Sequence, residues 1–190
     1  MQIFVAIGNF FLDIIETVVI ALSIFLIIYL FAVQPHQVSG HSMDPTFADG
    51  QYLLTDKITY KRSNPHRGDV VVFKAPEDAA CPEGTGCDYI KRVIAVPGDT
   101  VEVRDCRYYI NGSLLPESYI ASSVCTGAGA ATSGTVLTIP TGYYFVSGDN
   151  RPNSSDSRAW GPVPKSNIIG KVFFRYWPPT EAGVIKSASY

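Results

Sequence analysis

From Thr17 to Val33 the chain reads "TVVIALSIFLIIYLFAV", seventeen residues without a charge. As a helix, at about 1.5 Å per residue, this run covers about 25 Å, the short end of what crosses the hydrocarbon core of a bilayer. Ile14 and Ile15 lengthen it past Glu16. The opening residues "MQIFVAIGNFFLDIIE" are themselves apolar, suited to the interface or to a tilted, longer helix. A cleaved leader would want a basic start, a shorter apolar centre and a small-x-small site, but no Lys or Arg precedes the run and it ends in "AVQPHQ". A buried core helix would be polar on one face, and this one is apolar all round. Residues 1–34 therefore read as an N-terminal segment with one permanent transmembrane anchor. Charge bias gives almost no orientation, because no Lys or Arg occurs before Lys57.

The chain has 190 residues, which leaves room for one further domain of about 150 residues with a core of its own. A net charge of -2 argues against nucleic acid as a partner. After Gln34 the pattern changes to short runs rich in Val, Ile, Tyr, Phe and Thr, bounded by Gly, Pro, Asn or Asp. These are "QYLLTDKITY", "DVVVFKA", "YIKRVIAV", "DTVEV", "RYYI", "TVLTIP", "YYFVSGD" and "KVFFRYW". Hairpins are predicted around Asp105 and at Asn111-Gly112, the latter as a type I′ turn. No amphipathic stretch of three helical turns follows residue 34, so the domain is predicted to be mainly β. "SSVCTGAGAATSGT" reads as a surface loop, and "PPTEAGVIKSASY" as a terminal extension.

All four cysteines, Cys81, Cys87, Cys106 and Cys125, follow the apolar run. An even count in an exported domain permits two disulfides, with Cys81 and Cys87 bracketing the turn-rich "PEGTG". Four free thiols in a cytosolic domain are the alternative. The Cys-x5-Cys spacing is not a usual zinc spacing and only three histidines accompany it, so neither metal nor cofactor is expected.

Three stretches carry reactive groups. In "VSGHSMDPTFADG", Ser42 lies between Gly40 and Pro45, where an irregular loop can aim a hydroxyl and a backbone N–H at one point. A serine needs a base to become a nucleophile. His36, His41 and His66 are one kind of candidate, and all three also read as polar surface residues. Lys91 is the other. It interrupts the apolar strand "YIKRVIAVPGD", with Tyr89 and Val93 on its face and Ile90, Arg92 and Ile94 on the opposite one. Desolvation lowers a lysine pKa towards the range a general base needs, although a lone strand lysine more often snorkels to water. The third stretch, "GDNRPNSSDSRAWGPVP", is either a solvated turn or a loop that orients a catalytic amine.

In this order, behind one anchor, these stretches resemble the type I signal peptidases, membrane-bound serine proteases that remove signal peptides from exported proteins. The resemblance spans about residues 15–178. It rests on "SGHSMDPT", "RGDVVVF", "YIKRVIAVPGD" and "GDNRPNSSDSRAWGPVP", with the single span typical of short members. It implies a signal-peptidase-like β catalytic core over 35–102 and 143–178, a smaller β insertion over 103–142 and a tail over 179–190. It further implies Ser42 as nucleophile, Lys91 as general base, Ser154 as the group that orients the lysine, and the Ser42 N–H as an oxyanion donor. Members with a serine two places before the nucleophile use it as a second donor; Gly40 stands there in this chain, and Ser39 is out of register by one. Asp149 and Asp156, with Arg92, Arg151 and Arg158, would form a charged framework, Asp156 pairing with an arginine. Val38, Met43 and Ile90 would line shallow pockets for small-x-small sites. Tyr176 and Trp177 would either rest at the bilayer surface or pack in the core.

The partners implied are signal-peptide-bearing pre-proteins and the lipid bilayer. The location implied is the cytoplasmic membrane, crossed once, with the catalytic domain outside; oligomeric state stays open. Two rivals are a self-cleaving repressor-type peptidase, which shares the Ser–Lys pair but lacks an anchor, and a tethered pseudoenzyme, which would not need Ser42, Lys91 and Ser154 intact.

Overall fold

The computed structural model describes residues 2–76, 79, 81, 87–120 and 123–190. It opens with one long helix, α1 (Gln2–Phe31), of which Ile7–Tyr29 is long and apolar enough to cross a membrane. The side chains of Ile7–Tyr29 are exposed rather than packed on protein. Two hydroxyls on this surface turn back on the helix: Thr17 Oγ1 donates to the Asp13 carbonyl at 2.8 Å and Ser23 Oγ to the Val19 carbonyl at 2.7 Å. Each keeps a hydrogen bond where water is scarce.

Short strands follow, with two single-turn helices between them. They are β1 (Val33–Gln37), β2 (Tyr52–Asp56), α2 (Thr59–Arg62), β3 (Val70–Lys74), β4 (Asp88–Ala95), β5 (Thr100–Arg104), β6 (Arg107–Ile110), β7 (Ser113–Leu114), β8 (Leu137–Thr138), β9 (Tyr143–Ser147), α3 (Ser157–Trp160), β10 (Val163–Pro164), β11 (Ile168–Trp177) and β12 (Gly183–Val184). The fold is mainly β with an N-terminal apolar helix. One sheet has the order β1-β2-β11-β3-β4-β9-β10, with β12 also on β11, and the other β7-β6-β5-β8. Every pairing is antiparallel. β1 begins directly after α1 and forms the sheet edge, where Pro35 can sit without breaking a ladder on a second side.

β3 shows why the sheet reads as continuous apolar runs. Val70 and Val72 join Val38, Met43, Phe47, Leu53 and Val172 on one face, while Val71 and Phe73 join Tyr60, Val93, Tyr144, Val146 and Val163 on the other. A strand covered on both faces has no polar side to alternate with. A third cluster, Ile94, Ala95, Val101, Tyr108, Ile110, Leu115, Ile139 and Phe145, ties the two sheets together. Both predicted hairpins form. Asp105 and Cys106 turn β5 into β6, and Asn111-Gly112 turn β6 into β7, all four with positive φ as a type I′ turn requires.

Cys81 pairs with Cys87 and Cys106 with Cys125; the "PEGTG" between the first pair lies outside the described residues. The C-terminal stretch is docked. β12 pairs with β11, Ser187 Oγ donates to Asp69 at 2.5 Å, the Ala188 N–H donates to the Gly68 carbonyl at 3.2 Å, and Tyr190 and Tyr119 share a hydroxyl contact at 3.0 Å. Tyr176 and Trp177 are exposed at the end of β11, which sets core packing aside.

Candidate active site

β1, the turn after it and β4 wall a cleft of about 280 Å³. Val38, Leu53, Val72 and Ile90 give it an apolar floor, and Ser39, Gly40, Ser42, Lys91, Asn153 and Ser155 stand along it. Lys91 Nζ donates to Ser42 Oγ at 2.8 Å and to the Ile90 carbonyl at 3.0 Å. The lysine is only 4% exposed, with its ammonium 5.0 Å from the Tyr89 ring centroid. Burial lowers its pKa from the ordinary 10.5 to about 8, against the opposing pull of Asp156 and Asp149. A lysine so placed is partly neutral near pH 8 and can accept the proton of the hydroxyl it touches.

The loop that carries Ser42 is held from below and behind. Gly40 takes a positive φ and its N–H donates to Asp49 Oδ1 at 2.7 Å. Asn150 donates its N–H to the Ser42 carbonyl at 3.0 Å and its Nδ2–H to the His41 carbonyl at 2.9 Å. The Ser42 N–H makes no hydrogen bond to the described residues, so it remains open to a ligand. Gly148 is required by space. A Cβ there would lie 2.4 Å from the Ser42 carbonyl oxygen and 2.3 Å from Ser154 Oγ.

Two of the expected site residues sit differently. Met43 is fully buried among Val38, Phe47 and Leu53 and is not part of the cleft lining. The turn that aims Ser42 outward aims its neighbour into the core, so Met43 supports the loop from beneath. Ser154 Oγ is buried without a hydrogen-bond partner, and the expected bond to Lys91 is not made. Lys91 instead directs two of its three donors to Ser42 and to its own neighbouring carbonyl, and the third is unused among the described residues. Val38 and Ile90 do line the cleft. No histidine bonds Ser42 Oγ among the described residues. His41 and His66 are exposed beside Asp44 and Asp69.

Behind the cleft the charged groups pair in buried forks. Arg92 donates to Asp149 at 2.9 and 2.6 Å, and Thr46 Oγ1 adds a bond to Asp149 at 2.6 Å. Arg158 donates twice to Asp156 at 2.8 Å, while Asp156 also accepts from Ser147 Oγ and the Gly148 N–H. Burial pushes the Asp156 carboxyl up, but Arg158 and the neighbouring donors, the Gly148 N–H among them, together outweigh it and hold the group below the usual carboxylate range. The sequence reading missed the third fork, Arg151 with Glu117. Arg151 also donates to Thr126 Oγ1 at 2.8 Å and to the Gly148 carbonyl at 2.9 Å. Glu117 and Thr126 come from the segment between β7 and β8, so that segment buttresses the loop behind Ser42. A lone acidic residue in "LPESY" carries no signal of this kind.

Comparison with known proteins gives one consistent answer. The family model described as signal peptidase, peptidase S26, matches residues 11–177. A probable signal peptidase I-2 from Synechocystis sp. is 36% identical over 177 residues, 93% of this chain and 78% of that protein. Signal peptidase IB of Staphylococcus aureus is 38% identical over 182 residues, 90% of this chain and 91% of that protein. Among solved structures, a signal peptidase I from Enterococcus faecalis V583 is 36% identical, with a TM-score of 0.46, over 57% of this chain and 97% of that one.

Proposed function

We propose how this chain works from the premise that it belongs to the type I signal peptidases, peptidase family S26, of the short bacterial type. It is a membrane-bound serine endopeptidase that removes signal peptides from precursor proteins. Neutral Lys91 takes the Ser42 proton as Ser42 Oγ attacks the scissile carbonyl, and the ammonium so formed gives that proton to the leaving amine. Water, deprotonated by the same lysine, then hydrolyses the acyl-enzyme and frees Ser42. The Ser42 N–H stabilises the oxyanion, whereas the Gly40 N–H is already taken by Asp49. Ser154 takes the third donor of Lys91 once the ammonium forms. Arg92, Asp149, Asp156 and Arg158 are the framework that keeps these groups in register.

The observation that carries this reading is the 2.8 Å contact from Lys91 Nζ to Ser42 Oγ, between residues 49 apart in the chain. Ser42→Ala and Lys91→Ala should each abolish cleavage of a precursor in detergent while the fold persists. The double variant should lose little more than either one, since groups acting as a unit are not additive. Activity that survives Lys91→Ala but dies with His41→Ala or His66→Ala would overturn the assignment.

The proposal extends to the substrate and to the membrane. The cleft over Val38, Leu53, Val72 and Ile90 favours small-x-small sites, admitting alanine and excluding bulk by closure, because one methylene is worth only about 1–3 kcal/mol. An extended peptide would lie beside β4 as an added strand. Residues 35–102 and 143–178 act as the catalytic core, 103–142 as an insertion and 179–190 as its tail. The chain crosses the cytoplasmic membrane once, N terminus inside and catalytic domain outside. The two disulfides support this side, since the cytosol keeps thiols reduced. A membrane-impermeant protease added to spheroplasts should digest the domain; full protection would reverse the topology.

A further inference from the structure

His36 stands in the wall of the cleft with one ring nitrogen idle. The imidazole projects from β1, and its Nδ1 meets Thr55 Oγ1 of β2 at 3.0 Å. Nε2 is buried without a hydrogen-bond partner. Across the cleft, Asp88 at the start of β4 holds Oδ2 3.7 Å from Nε2, beyond hydrogen-bond reach. Burial lowers the His36 pKa below its ordinary 6.5; Asp88 opposes this and Lys57 adds to it, so the ring is neutral at neutral pH. A neutral ring has a single N–H. A carboxylate facing Nε2 favours that proton on Nε2, with the Thr55 hydroxyl donating to Nδ1. The result is a donor and an acceptor that face each other without touching. No atom fits in the 3.7 Å between them, so a substrate hydroxyl completes the pair from the cleft side as the His36 ring turns towards it, accepting from Nε2–H and donating to Asp88. A methyl group leaves both ends unmet.

The position of this pair along the cleft selects which substrate residue it meets. Asp88 precedes Lys91 by three residues, about 10 Å along a strand. An extended peptide whose scissile carbonyl lies at Ser42 therefore brings a side chain to His36 two to three residues away. The strand period points the two small residues of a small-x-small site to one wall. We propose that His36 and Asp88 are specificity-determining residues that read a hydroxyl on the first small residue, so that this enzyme prefers serine to alanine there. This rests on the small-x-small reading above.

The test is a competition between precursors that differ only at the residue two places before the one whose carbonyl is cut. Serine, alanine and leucine versions are offered to the wild type, His36→Leu and Asp88→Ala at pH 8. The serine-to-alanine ratio of kcat/KM is expected to be about three to ten in the wild type. It should fall to about one or below in both variants. The ratio is internal to each enzyme, so a general loss of activity cancels. A wild-type ratio of one, or a serine preference that survives either substitution, overturns the proposal. Equal cleavage of the leucine version is a different signature. It would mean that the small-residue requirement itself has failed, and the proposal would fall with it.

Discussion

Asn150 grips the loop of Ser42 by two consecutive carbonyls, its N–H on Ser42 at 3.0 Å and its Nδ2–H on His41 at 2.9 Å. The segment from Gly148 to Arg158 thus sets the backbone of Ser42 directly, not only the charges behind it. Asn150→Ala keeps the main-chain bond and loses the side-chain one. Its kcat/KM should fall about tenfold, with the melting temperature changed by no more than a few degrees. Asn150→Asp, which turns an acceptor towards a carbonyl, should be worse. Cleavage kinetics beside thermal melts of both variants check this, and wild-type rates in Asn150→Asp would refute it.

Gly148→Ala is expected to be more severe. The new methyl would meet the Ser42 carbonyl oxygen at 2.4 Å, so either the Ser42 loop or the Gly148 strand end must move. A displacement of about 1 Å at a reacting centre costs about a hundredfold in rate. The variant should remain folded by circular dichroism and yet lose at least that factor.

The pH dependence follows from Lys91. With a pKa of about 8, about a tenth of the lysine is neutral at pH 7 and about half at pH 8. The kcat/KM profile should rise through a single ionisation near 8. Ser154→Ala should lower the rate without moving that limb. A limb near 10 in the wild type, or one near 6.5 that vanishes on changing a histidine, would exclude lysine as the base.

Stability should report the same group with a definite sign. The folded pKa lies below the unfolded one, so the unfolded chain holds the extra proton between about pH 8 and 10.5, and stability rises with pH in that window. Below pH 8 the fold carries a buried charge at a cost of about 3 kcal/mol. Lys91→Met should therefore be more stable than the wild type at pH 7 by about 2–3 kcal/mol, and this advantage should shrink as the pH rises through 8 towards 10.5. Urea melts at pH 7 and 10 would show it.

Cys106 and Cys125 lie 19 residues apart and tie the turn between β5 and β6 to the loop that carries Thr126, a partner of Arg151. Replacing both by alanine should cost about 3 kcal/mol and lower the melting temperature by about 6–12 °C. Activity at 25 °C should fall only modestly, because the Glu117–Arg151 fork persists.

Much of this was legible beforehand where residue chemistry is local. β3, β4 and β9 are apolar, β-branched or aromatic runs, and the two hairpins announce themselves by Asp105 and Asn111-Gly112. β1 was not legible, since "VQPHQ" has a proline and no apolar alternation; pairing with β2 makes it a strand. Ser42 and Lys91 were each ambiguous in isolation, and their identification rested on the order of four motifs. Glu117 was invisible because its partner is 34 residues away, and burial, which gives the pair its meaning, has no signature in a loop. Met43 misled because a residue beside a nucleophile is as free to face the core as the substrate.

The position of β11 constrains how the molecule is born. It lies between β2 and β3, and no strand that precedes it can close that gap. A ribosome delivers it only from residue 168 onward, so the main sheet remains in two halves until every other strand of it except β12 has been made. Until then β1-β2 and β3-β4-β9-β10 have no strand between them, and β11 locks the two halves together on arrival. Nonsense mutations within β11 would delete part of it and all of its partner β12, and should leave the product to quality-control proteases rather than to partial activity.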